Sequence, residues 1–85
     1  MDIRFTKHAD EKFVTLARHG VRISRKKVIT TVQDPDLIDH SHTPLFIAQG
    51  ILDKAHVLRV VYKKEQQIIK IITFYPGRKS QYEKR

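Results

Sequence analysis

The sequence contains no cysteine and no tryptophan, and only three glycines and three prolines occur among its 85 residues. Without cysteine the chain forms no disulfide, has no thiol nucleophile and lacks the framework of a zinc finger. A small hydrophobic core must therefore hold the fold without covalent help, which fits a reducing compartment and predicts a cytoplasmic location. At this length we expect one domain over residues 1–85, with no large cavity between domains.

Long apolar runs are also missing. No stretch approaches the roughly 18 residues that span a bilayer, and residues 1–5 lack the order of a signal peptide, so no membrane partner is expected. Hydrophobic residues make up 40% of the chain, too many for a disordered basic tail. Charge is abundant instead, with 17 Lys and Arg against 9 Asp and Glu, a formal net charge of +8. Such a balance favours a polyanionic partner, although it also serves solubility alone.

Two segments in the first half carry helix signals. Apolar residues recur with a helical period over residues 9–20, Thr6 precedes them as a candidate N-cap, and Gly20 is a stop signal. A shorter helix is predicted from the N-cap candidate Ser24 to Asp34, which precedes a proline. The first helix has the stronger signals of the two.

The rest of the chain has strand signals. A short strand is predicted at residues 3–5, and a polar connection at residues 36–44 leads to three runs of β-branched and aromatic residues, at 45–48, 56–62 and 68–75. Pro76 and Gly77 are expected to end the sheet and to begin a basic tail, residues 77–85. The order predicts an α+β domain: a short N-terminal strand, two helices, then an antiparallel sheet of three to four strands. The helices would cover one sheet face and leave the other to a partner.

The register of the last two strands decides which side chains meet. Arg59 lies inside an apolar run, and because an unpaired buried guanidinium is too costly, it must be paired or lie on the open face. If paired residue numbers add to an odd number, Arg59 shares a face with Lys70 and Phe74. If they add to an even number, it shares a face with Thr73 and Tyr75. The sequence leaves both registers open.

Metal and nucleotide sites are not predicted. His40 and His42 lie in a loop far from His56, and these spacings match no closed zinc site, so we interpret them as surface histidines. No P-loop, dinucleotide fingerprint or nucleophile elbow is present, and no cofactor is expected. The remaining His, Lys, Arg, Tyr and Thr residues suffice for metal-independent RNA cleavage. In that reaction a base takes the 2′-hydroxyl proton, an acid protonates the 5′-oxygen, and cations stabilise the phosphorane.

His8 is the candidate base, because the helix dipole in the first turn favours a neutral imidazole, although a histidine that caps or packs locally is the plainer alternative. The other candidates can hold phosphate, stack on a base or donate a proton, and they are Arg59, Thr73, Tyr75, Arg78 and Tyr82. A second set would attract the nucleic-acid backbone: Arg25, Lys26, Lys27, Lys63, Lys64 and Lys79. The first three of these occupy a helix start where the dipole disfavours cations, which fits either a functional site or a solvated surface.

Four short motifs occur in a familiar order: FTKHA at residues 5–9, GVRIS at 20–24, LRVVY at 58–62 and IITFYP at 71–76. Together they resemble a family of small bacterial and archaeal domains of unknown function, grouped with the RelE/ParE toxin superfamily, over residues 3–76. The resemblance implies a RelE-like fold and a toxin that cuts RNA, including ribosome-bound mRNA, and is neutralised by an acidic antitoxin protein. His8, Arg59, Thr73 and Tyr75 match recurrent positions of the family, and Arg78 and Tyr82 fill a looser C-terminal match.

The chain also departs from that family. The family's second helix usually opens with acids after the serine, whereas Arg25, Lys26 and Lys27 stand here. Three functions therefore stay open: a metal-independent endoribonuclease of a toxin–antitoxin pair, a non-catalytic nucleic-acid-binding domain of the same fold, or a ParE-like inhibitor of a protein target such as gyrase. All three need a basic surface.

Overall fold

Residues 2–82 are described by the structure, which is a computed structural model. They form the predicted α+β fold, with a strand and two helices before the sheet. The elements are β1 (Asp2–Phe5), α1 (Lys7–Arg18), α2 (Arg25–Gln33), β2 (Leu37–Asp39), β3 (Phe46–Ile51), β4 (His56–Glu65), β5 (Ile68–Arg78) and α3 (Lys79–Tyr82). The last part of the predicted basic tail, residues 83–85, lies outside the described residues.

The sheet has five strands in the order β1-β5-β4-β3-β2. Strands β2 to β5 are antiparallel, as predicted, and β1 adds a parallel pairing to β5 with Ile3 opposite Ile69. The short strand β2 lies within the segment expected to be a polar connection. The expected end of the sheet at Pro76 was wrong, because β5 continues to Arg78. The pairing with β1 stops at Ile71, so Pro76 lies on a free strand edge, where its missing N–H costs no ladder bond.

The predicted caps hold both main helices. The Thr6 hydroxyl accepts from the N–H of Ala9 at 3.2 Å, and the Ser24 hydroxyl accepts from the N–H of Lys27 at 3.0 Å. Gly20 follows α1 with φ +81°, a left-handed conformation that favours glycine and ends the helix.

The contacts of Arg25 explain why a cation is tolerated at the start of α2. Its guanidinium forms an ion pair with Asp10 of α1. The guanidinium also lies over two aromatic rings, with Cζ 4.6 Å from the centroid of Phe5 and 5.0 Å from that of Phe13. These contacts join α1 to α2 and offset the unfavourable helix dipole. Arg25 therefore has a structural role on the helical side of the sheet.

The helices α1 and α2 cover one face of the sheet. Ala9 and Val28 of the helices pack with Leu58 and Val60 of β4 in a single buried cluster. Side chains alternate along a strand, so Arg59, between two core residues, points to the opposite face. We call this side, which α1 and α2 do not cover, the open face.

A β-bulge sets the register of β4 and β5. Tyr62 pairs with Ile71 and Val61 with Thr73, so Ile72 has no partner between them. Paired numbers add to an odd number on the turn side of the bulge and to an even number beyond it. Both registers that the sequence allows are therefore present, and Arg59, beyond the bulge, lies opposite Tyr75.

A pair of valines tests where the core lies. Val28→Ala, at a fully buried position of α2, should lower the free energy of unfolding by about 2 kcal/mol, because it removes two methyl groups and leaves a cavity. Val14→Ala in α1 is the matched control, since Val14 is 56% exposed, and it should change stability by less than about 0.5 kcal/mol. Urea denaturation measures both, and equal losses would contradict this placement of the core.

Candidate functional site on the open face

A row of polar side chains crosses the open face around Arg59. In the strand register Arg59 lies between Gln49 of β3 and Tyr75 of β5. The guanidinium donates from Nε to the Tyr75 hydroxyl at 3.2 Å, from Nη1 to Gln49 Oε1 at 2.5 Å and from Nη2 to Asp39 Oδ2 at 3.0 Å. Its side chain is only 7% exposed, and these bonds satisfy three of its five N–H groups.

Asp39 balances the charge of Arg59. Its carboxylate accepts from the Ser41 hydroxyl at 2.6 Å and from the Ser41 N–H at 2.9 Å. These bonds, together with the bond from Arg59, hold the pKa of Asp39 well below its usual range. Burial acts to lower the pKa of Arg59, but its bonds to Tyr75 and Asp39 outweigh burial and raise it. Both groups are therefore ionised, and their charges cancel.

Tyr82 covers the guanidinium from α3. The ring centroid lies 4.3 Å from the Arg59 carbon Cζ, in a cation–π contact. The ring also crosses Gly77, where an added Cβ would overlap ring atoms. Glycine at this position therefore allows the close approach of α3 to β5, and the start of the predicted tail forms part of the site.

An open cavity of about 570 Å³ lies beside this cluster. Such a volume is within the range of roughly 300–1,000 Å³ that is usual for ligand sites. One of the lining residues carries an exceptional atom: Gln49 Nε2 is buried and has no hydrogen-bond partner within residues 2–82. The residues that line the cavity are Leu37, Asp39, His42, Gln49, Arg59, Tyr75, Gln81 and Tyr82.

Lys12 brings a further cation that sequence reasoning missed. From α1 its Nζ reaches the edge of β5, donates to the Thr73 hydroxyl at 3.0 Å and lies 6.0 Å from the centroid of the Tyr75 ring. A signal was present, because Lys12 follows His8 by four residues and so shares its helix face. It was missed because an exposed lysine in a helix is common.

His42 is the second missed residue. The Ser41 hydroxyl donates its one proton to Asp39, so it accepts from the Nδ1–H of His42 across 3.0 Å. A neutral His42 then keeps the lone pair on Nε2. The short spacing of Asp39, Ser41 and His42 was the available signal, but only the turn before β3 brings the three together.

The structure brings together four of the six predicted catalytic residues. Tyr75 and Tyr82 both contact Arg59, and Thr73 contacts Lys12 beside them. His8 and Arg78 lie elsewhere: His8 is exposed in the first turn of α1, and Arg78 is exposed opposite His56 at the end of β5.

The predicted backbone-binding residues lie on several surfaces. Arg25, Lys26 and Lys27 belong to α2, on the covered side of the sheet. Lys63 forms an ion pair with Glu65 at 3.2 Å, and Lys64 lies over the Phe46 ring. Lys79 belongs to α3 and is the only member of this set beside the cavity-lining segment. Their roles stay predictions.

Two further observations concern the described part of the chain. Residues 2–82 contain no cluster of three or more His, Asp or Glu side chains suited to a metal ion. Over the same residues no helix is long and apolar enough to cross a membrane.

Comparison with protein families, with curated proteins and with solved structures gives no match for this chain. The resemblance to the RelE/ParE toxin superfamily therefore stays a prediction, and so do the toxin role and the acidic antitoxin. The site must be interpreted from its own geometry.

Removing the carboxylate of Asp39 should strongly destabilise the protein. Asp39→Asn leaves the Arg59 charge buried without its partner and should lower the free energy of unfolding by about 3 kcal/mol, the lower end for a broken buried pair because Asp39 is partly exposed. Asp10→Asn breaks the more exposed pair with Arg25 and should change stability by less than about 1 kcal/mol. Equal effects in urea denaturation would contradict the role of Asp39.

The effect of Asp39→Asn on stability should also depend on pH. Because the pKa of Asp39 is lower in the folded chain than in the unfolded chain, its stabilisation is complete above a pH of about 4 and decreases as the pH falls. The stability gap between the wild type and Asp39→Asn should therefore stay constant above about pH 5 and shrink as the pH falls below about 4.

Proposed function

We propose that this protein binds single-stranded RNA on the open face of its sheet. The observation that carries the proposal is the open cavity in which the Tyr82 ring, the Tyr75 hydroxyl and the Arg59 guanidinium come together. Proteins recognise single-stranded RNA by splaying out bases, stacking them on aromatic rings and bonding their edges. A sheet face with aromatic and arginine side chains suits that task.

The charge of the chain supports the same proposal. Residues 2–82 contain fifteen Lys and Arg, of which five form ion pairs with carboxylates and ten form none within that range. Lys12 lies beside Tyr75, and Arg78 and Lys79 directly precede α3 or begin it. Cations near the cavity are thus available to the phosphates of a bound strand.

Arg59 itself is poorly suited to hold a phosphate. Its charge is cancelled by Asp39 at 3.0 Å, and an approaching phosphate would meet that ionised carboxylate. We therefore assign backbone attraction to the exposed cations, Lys12 first, and we assign to Arg59 the shape and hydrogen bonds of the cavity.

RNA binding should depend on salt in a way that separates these two roles. For a single-stranded RNA of about 12 nucleotides, the slope of log K against log salt should be about −0.7 for each phosphate contacted. Lys12→Gln should make the slope less steep by about 0.7. Tyr82→Leu should weaken binding by about 5–150-fold through lost stacking and leave the slope unchanged. Fluorescence anisotropy measures both.

Lys26→Gln is the control for Lys12→Gln, because Lys26 lies in α2 on the covered side of the sheet. It should leave affinity and slope unchanged. Absence of RNA binding at low salt, or a Lys26→Gln effect equal to that of Lys12→Gln, would contradict the proposal.

Metal-independent RNA cleavage is the second candidate function. The hydrogen bonds that link Asp39 to Ser41 and Ser41 to His42 favour it. These hydrogen bonds orient the imidazole of His42, whose Nε2 lone pair can take a 2′-hydroxyl proton, and His42 lines the cavity. Tyr75 and Tyr82 line the same cavity, and one of their hydroxyls would act as the acid. In this mechanism His42 replaces His8 as the base.

A cleavage assay in EDTA distinguishes the two histidines. His42→Gln removes the imidazole base, and it should lower the cleavage rate by about 100–10,000-fold. His8→Gln, at an exposed position of α1, should cut as the wild type does. A nuclease that survives His42→Gln, or a wild type that binds RNA and never cuts it, would rule out this candidate.

A further inference from the structure

The side-chain amide of Gln49 has a hydrogen-bond donor without an acceptor among residues 2–82. Gln49 is only 1% exposed, and its Oε1 accepts from Arg59 Nη1, which fixes the orientation of the amide. The amide nitrogen is therefore a buried donor, and no acceptor reaches it within residues 2–82. Buried donors without partners are rare and mark either strain or a missing acceptor. Because Gln49 lines the open cavity, a ligand that displaces the groups covering this nitrogen can supply that acceptor.

Arg59 adds donors beside this amide. Three of its N–H groups are bound to Tyr75, Gln49 and Asp39, so two remain. The carboxylate of Asp39 already accepts two bonds from Ser41 and one from Arg59. The wall around Arg59 is therefore rich in donors, while its net charge is close to zero.

These properties select a neutral ligand with neighbouring acceptors. An anion would gain little from the neutralised Arg59 and would be repelled by Asp39. A neutral acceptor is not penalised and satisfies the Gln49 amide. The ligand should also be flat, because the Tyr82 ring lies over Arg59 and bounds the space beside the guanidinium.

Guanine meets these requirements among the bases of RNA. Its O6 and N7 are adjacent acceptors, and a bidentate contact from arginine to this edge is the commonest specific contact to a base. Adenine places a donor, N6, beside N7 and would oppose one of the protein donors. We propose that the cavity recognises one guanine of the bound strand through Gln49 and Arg59. This inference rests on the proposed RNA binding.

Modified bases test the inference on the wild-type protein. In a tract of about ten uridines, one central uridine is replaced in turn by guanosine, inosine, 7-deazaguanosine, adenosine or cytidine. Guanosine and inosine, which both keep O6 and N7, should bind about 5–150-fold more tightly than the other three and than uridine. The 7-deaza base should lose this advantage because it lacks N7.

A variant links the preference to Gln49. Gln49→Met has a similar length and no donor, and it should remove the guanosine preference, so that guanosine and 7-deazaguanosine at the central position bind with equal affinity. Lys12→Gln is the matched control, and it should change the slope while the preference for guanosine stays. If Gln49→Met does not fold, the comparison of guanosine with 7-deazaguanosine on the wild type still decides.

The outcomes separate the inference from the function on which it rests. Salt-dependent binding with equal affinity for every central base, or with a preference for cytidine, overturns guanine recognition and leaves RNA binding intact. Absence of binding to any of the oligonucleotides overturns both. Loss of the guanosine preference in Lys12→Gln but not in Gln49→Met would place base recognition at the edge of β5 and overturn the assignment to Gln49.

Discussion

One unpaired residue in β5, Ile72, determines which side chains share the open face. The core takes Ile69, Ile71 and Phe74 from this strand, a spacing of two and then three residues that strict alternation cannot provide. The facing residues of β4, Leu58, Val60 and Tyr62, alternate regularly. The bulge reconciles the two patterns, since it keeps Phe74 in the core and turns Tyr75 towards Arg59. The need to bury an aromatic ring on one face thus assembles the polar cluster on the other.

The sequence predicts what depends on neighbouring residues. Both helix caps, Thr6 and Ser24, are local signals and are confirmed, as is the α+β order of the elements. The bulge could have been predicted, because the spacing of the apolar residues in β5 can be read from the sequence. It was not predicted because strict alternation of side chains along the strand was assumed. The strand β2 and the helix α3 were not predictable in this way. Each has only three or four residues, and each is held by distant contacts, such as the pair of Asp39 with Arg59 and the packing of Tyr82 on Gly77.

The cations of this protein have different tasks that composition cannot separate. Arg25 joins two helices through Asp10 and aromatic rings, and Arg59 organises the open face while Asp39 cancels its charge. Lys12, by contrast, contacts a hydroxyl and an aromatic ring but no carboxylate within the described residues, and it keeps its charge available. The net charge of +8 therefore suggests a polyanionic partner, whereas the neutral cluster around Arg59 is suited to choosing among ligands. Attraction and selectivity are assigned to different residues.

The parallel pairing of β1 with β5 has a consequence for the order of folding. Asp2 pairs with Ile68, so the first strand has no partner until the last strand has been synthesised. The hairpin of β4 and β5 needs only a short turn and can form early, because nearby segments close their contacts at a lower entropic cost. During synthesis, β1 and α1 therefore stay exposed as an amphipathic segment until β5, the strand on which they pack, is available. The pairing of β1 with β5 therefore forms only after the chain through Ile71 has been synthesised.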